Sequence, residues 1–210
     1  MKNSEKVPDM AAVGVMNFTS TLITTSFCAY VALVGHREAP FFERQALNTL
    51  LTGALVILPY FFMPFFIRYF TTRYSSRNTV TFSLLADFLL MGAGAAVLAL
   101  VTGGKIALSG VILLMLMVIL SGAIFSTYRA ALRIYIAETV SKTMLPRAGA
   151  VTECTTFAGI LAGAAGAAAA AELEVSRGGA GVCLMGHAFM SLSVATRLTA
   201  VRVLHAPNPM

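Results

Sequence analysis

Two carboxylates stand where carboxylates are costly. Asp87 lies inside the apolar run 79–101 and Glu153 inside the apolar run 148–171. A charged side chain at mid-bilayer costs about 2.5–3.5 kcal/mol or more unless it is paired or hydrated. Such a group either holds a proton, a cation or a charged part of a substrate, or it is neutralised by a fixed partner. For Asp87 both readings stand level. For Glu153 the fixed pair is favoured, because Arg129, Arg133 and Arg147 fall near the same membrane face.

Other chemistry has little to rest on. The sequence contains no HExxH, no phosphate-binding glycine loop, no GxSxG and no cluster of metal-ligand spacing. His36, His187 and His205 are far apart, and only His187 falls inside an apolar run. Cys28, Cys154 and Cys183 lack CxxC spacing and read as small buried apolar side chains. No enzyme activity, metal or cofactor is expected.

The elements that must position these residues are membrane helices. Of 210 residues, 58% are hydrophobic and 11% charged, and the mean hydropathy is +0.81. Soluble domains carry about 25% charged residues, so this much apolar surface needs lipid. Continuous apolar runs, rather than segments of dyad alternation, favour helices over a barrel. Six spans are predicted, at 10–34, 46–67, 79–101, 107–128, 148–171 and 179–204. Each is near the ~20 residues that cross ~30 Å of hydrocarbon. The sixth is the weakest, since Arg197 interrupts it. Around this domain of residues 10–204 lie a polar segment, 1–9, and a short tail, 205–210.

The net charge of +6 reads as topology and contact with anionic lipid rather than as nucleic-acid binding. Arg68, Arg73 and Arg77 follow the second span without an acid. Arg129, Arg133, Lys142 and Arg147 lie between the fourth and fifth spans against Glu138, and Arg197 and Arg202 lie near the end. The alternate loops are balanced or weak. Basic excess on every second loop puts both termini of a multi-pass protein in the cytoplasm; a bacterial inner membrane is the expected location. Pro59 and Pro64 should loosen the second span. Gly159 and Gly163, at GxxxG spacing, should let the fifth pack closely within the chain.

Several segments resemble a known family. The loop Arg68-Tyr-Phe-Thr-Thr-Arg-Tyr-Ser-Ser-Arg77 is similar to the loop between helices two and three of major facilitator transporters, with Arg73 and Arg77 matching its G-x-x-x-D-R-x-G-R-R pattern. Thr72 stands at its acidic position. A more specific match joins Glu153, Thr156, Phe157, Ile160, Leu161 and Gly163 to the E-x-x-T-F-x-x-I-L-x-G pattern of helix five in the lysophospholipid transporters. Phe125-Ser-Thr-Tyr-Arg129 resembles that family's F-x-P-x-K. The second span from Ala54 and the end from Val203 also look similar. In helix one, Ile23, Thr24 and Thr25 occupy the place of the family's Asn-Asp-Asn cluster.

The resemblance implies an all-α membrane protein of six helices, one half of a major-facilitator bundle built from two three-helix inverted repeats. It implies lysophospholipid as substrate and a second six-helix half, from another copy or a separate chain, as partner within the bilayer. Glu153 and Asp87 would line or brace the cavity. Arg129 would meet a phosphate or the gate, and Arg68, Arg73 and Arg77 would form the cytoplasmic gate loop. The alternative expectation is a truncated remnant that inserts without transporting, consistent with the missing acids in helix one and the gate loop.

Overall fold

The computed structural model describes residues 9–38, 64–65, 67–70, 72–102, 108–177 and 180–204. Five helices form within these limits: α1 (Met10–Glu38), α2 (Ser76–Thr102), α3 (Leu108–Thr139), α4 (Leu145–Arg177) and α5 (Ala180–Leu204). No strand occurs among the described residues. The second predicted span, with Pro59, lies outside them except for its last few residues, as do segment 1–8 and tail 205–210. α2 to α5 therefore correspond to the third to sixth predicted spans.

Local chemistry sets the helix ends. Asp9 caps α1, its Oδ1 accepting from the amides of Ala11 at 3.0 Å and Ala12 at 3.4 Å, which satisfies two of the first orphan donors. Between α3 and α4, the amides of Met144 and Leu145 both bond the Ser141 carbonyl. Pro146 falls in the first turn of α4, where the missing N–H has no helical partner to lose.

Four helices contain stretches long and apolar enough to cross a membrane: Met10–Leu33, Ser76–Leu98, Ile112–Thr139 and Leu145–Leu173. The α3 helix departs from the sequence reading. It was expected to end at Tyr128, where charges begin, yet it runs eleven residues further, to Thr139. The reason is the spacing of those charges. Arg129 and Arg133 are four apart and share one face, while Tyr128, Ala131, Leu132, Tyr135 and Ile136 present a buried apolar stripe on another.

The distribution of polarity is reversed from that of a soluble bundle. Large apolar side chains such as Phe82, Leu89, Leu116, Phe157, Leu161 and Leu198 are exposed, whereas Asn17, Ser20, Thr21, Asp87, Ser121 and Thr196 are buried. Many of the inner hydroxyls bond the carbonyl one turn back, as Thr21 does to Asn17 at 2.8 Å and Thr196 to Leu192 at 2.8 Å. Such back-bonding satisfies a hydroxyl without water.

α1 occupies the middle of the arrangement, packing most extensively on α4 and then on α5, while α2 packs on α3 and α5. Gly159 and Gly163 form the α1–α4 contact. A Cβ added at Gly163 would lie 2.8 Å from the Leu22 carbonyl oxygen, and one at Gly159 would lie 2.9 Å from that of Phe18. Two apolar clusters result. One gathers Phe27, Tyr30, Met91, Leu114, Ala167 and Phe189. The other gathers Met16, Val80, Phe125, Leu132, Ala148 and Val203.

Candidate functional site

The structure does not bring the two carboxylates together. Glu153, on α4, faces α3 and takes two arginines: its Oε2 accepts from Arg129 Nη2 at 2.9 Å and its Oε1 from Arg133 Nη2 at 2.5 Å. Both partners reach it because they lie one turn apart on a single stripe of α3. The fixed-pair reading of Glu153 therefore has its partners, both on the helix rather than in a loop. The cluster keeps one net positive charge and is open: the side chains of Glu153 and Arg133 are 41% and 62% exposed, and that of Arg129 is 24% exposed. Phe157, Ile160 and Leu161 continue the same face of α4 beyond Glu153 and are also exposed. A cationic head and an apolar track thus adjoin, which is what an amphipathic anion would need.

Asp87 lies elsewhere, buried on α2. Its Oδ1 accepts from the Ser121 hydroxyl of α3 at 3.5 Å, and among the described residues no cation pairs with it. It belongs to a polar layer between the two apolar clusters. The layer contains Ser20 and Thr24 of α1, Asp87 of α2, Ser121 of α3, and Ser193 and Thr196 of α5. A cavity of about 10 Å³ opens beside Asp87, lined also by Ser20, Phe88, Ser193, Thr196 and Arg197, with room for one water molecule. The Arg197 guanidinium stacks 4.0 Å above the Phe88 ring.

The arginines of the expected gate loop are spread out. Arg73 folds onto Tyr69, 4.6 Å from its ring centre, with Nη1 donating to the phenol oxygen at 3.1 Å. Arg68 offers its carbonyl to the Thr72 hydroxyl at 2.7 Å. Arg77 lies in the first turn of α2, within electrostatic reach of Tyr135. The carboxylate serving this end comes from α3: Glu138 accepts from the Ser76 hydroxyl at 2.5 Å. His187 is exposed on α5, and no three metal-ligating side chains meet among the described residues.

Asn17 escaped the sequence reading. It is fully buried on α1, and its Nδ2 lies 2.8 Å from the Thr152 carbonyl and 2.9 Å from the hydroxyls of Thr155 and Thr156 on α4. With two hydrogens it serves two of these at once. An amide in an apolar run is the signal the sequence carries for it, weaker than that of an ionisable group because an amide is neutral.

No family model, curated protein or solved structure matches this chain.

Proposed function

We propose that the chain is a membrane transporter module of the major facilitator type, one six-helix half, that moves lysophospholipid or another amphipathic anion across the bacterial inner membrane. One observation carries the reading: the open Arg129–Glu153–Arg133 cluster lies within two candidate membrane spans. Charged groups that face hydrocarbon cost about 2.5–3.5 kcal/mol or more each at mid-bilayer. They require a hydrated cavity or a second protein surface, and a second six-helix half enclosing a cavity supplies both.

The pattern of neighbours lends support. With α1 as span one and α2 to α5 as spans three to six, span one packs on six as three packs on four. The one–four and three–six contacts map onto themselves when spans one to three are exchanged with four to six. A slight one–three contact has no counterpart. Pseudo-two-fold repeats produce this arrangement.

The non-transporting remnant remains the second reading, favoured by α1. Ile23 packs in an apolar cluster, and Thr25 lies against Gly163, so two of the three positions matched to the family's acidic cluster are spent on packing. Proteoliposomes loaded with a labelled lysophospholipid decide between the two. The transport reading expects flux above empty vesicles, abolished by Glu153→Gln with insertion unchanged. Absence of flux from the wild type, with and without a candidate second half, removes it. Wild-type flux that persists in the variant returns Glu153 to a packing role.

A further inference from the structure

We infer that Asp87 is an exchangeable proton site set in the middle of the bundle, separate from the Arg129–Glu153–Arg133 cluster. The placement is the first ground. Asp87 lies eleven residues from either end of the candidate span Ser76–Leu98, about 16 Å from each at helical rise. Among the described residues, every helix packed around it contributes a hydroxyl to the same layer: Ser20 from α1, Ser121 from α3, Ser193 and Thr196 from α5. Apolar clusters close the layer on both sides.

The second ground is the poverty of its partners. An ionised carboxylate away from water requires a cation or several strong donors, and otherwise the group takes a proton. Among the described residues Asp87 has one hydroxyl, at 3.5 Å. The titratable and charged groups facing it are Cys28 from α1, Tyr128 from α3 and Arg197 from α5. Cys28 and Tyr128 bring no positive charge. Arg197 borders the cavity but rests on Phe88. The hydroxyls of Thr24 and Tyr128 are buried without a hydrogen-bond partner, so the layer has unused polar capacity around the carboxyl.

The exchange is simple to balance. The carboxylate takes a proton from hydronium at the adjoining cavity, leaving water there, and becomes a neutral acid while the guanidinium is left to the aromatic ring. Loss of the proton to water restores the negative charge, which draws Arg197 off Phe88 to pair across the cavity. Arg197 is the counter-charge that makes deprotonation tolerable in this layer.

Infrared spectroscopy of the purified chain in lipid nanodiscs tests this directly. At neutral pH the wild type should show the C=O stretch of a buried protonated carboxyl, shifted in D₂O, diminishing at alkaline pH and lost in Asp87→Asn. The proposal is overturned if the wild type lacks the band, if Asp87→Asn retains it, or if the signal follows sodium concentration instead of pH. Should Asp87→Asn fail to fold, Ser121→Ala serves: removing the hydroxyl moves the band, and an unmoved band assigns it to another acid and overturns the proposal. The measurement needs no transport. A missing band with intact lysophospholipid flux removes the proton site alone, and a present band without flux removes the transport reading alone.

Discussion

At the scale of single residues, the interior is organised by groups whose polarity cannot be left to lipid. Asn17 is the clearest case, an amide whose two hydrogens are shared among three oxygens of α4. Interhelical hydrogen bonds of this kind contribute about 1–2 kcal/mol in model helices and often less within whole proteins. Asn17→Ala should therefore lower stability by about 1 kcal/mol, read from the unfolding midpoint in mixed detergent micelles. An unchanged midpoint would mean that Thr152, Thr155 and Thr156 are satisfied by their own helix, as their back-bonds at 2.8–3.1 Å permit. Glu153 differs in kind. It does not join helices through a neutral bond but holds two guanidinium groups at an open face, so its substitution should register in flux before stability.

At the scale of helices, the contact of α1 with α4 depends on the absence of side chains. Gly163→Ala places a methyl 2.8 Å from a backbone oxygen and 2.9 Å from the Thr25 Cβ, neither the end of a flexible chain. Overpacking of this sort costs about 1–3 kcal/mol. Gly149→Ala is the matched control, because a Cβ there meets nothing within 4 Å; it should be neutral or gain up to about 1 kcal/mol of helix propensity. Equal effects from both would show that α4 does not seat on α1 through Gly163. The helices themselves were legible in the sequence, since continuous apolar runs permit little else in lipid. Glu153 and Asp87 were legible for the same reason, as charges in the wrong solvent. Three features were not. The extension of α3 past Tyr128 was hidden because its charges were counted without regard to which face they occupy. The partner of Gly159 and Gly163 was hidden because their spacing says that something comes close but not which helix. The layer around Asp87 was hidden because Ser20, Ser121, Ser193 and Thr196 are unremarkable singly and meet only once the helices cross.

At the scale of the molecule, one end of the bundle collects the basic segments. The Ser76–Glu138 bond brings the start of α2 to the end of α3, and the Tyr135 hydroxyl donates to the Val203 carbonyl at 3.3 Å, which brings the end of α5 to the same level. Val13, Val140 and Ala148 share a cluster with Val203, so the start of α1 and the α3–α4 turn are there too. Arg73, Arg77, Lys142 and Arg147 therefore occupy one end, with Glu138 and Asp9 as the nearby acids. Retention of Lys and Arg on the cytoplasmic side then sets the orientation of the whole bundle. Single cysteines at Ser75 and Lys142, both exposed positions, in a chain whose native cysteines are replaced, provide the test. A membrane-impermeant thiol reagent should modify both in inverted inner-membrane vesicles and neither in intact cells. Modification of the two from opposite sides would be incompatible with the Ser76–Glu138 contact, and with the single end that it helps to define. Modification of both from outside the cell would keep the bundle and reverse its orientation, moving the Arg129–Glu153–Arg133 face toward the outer half of the bilayer.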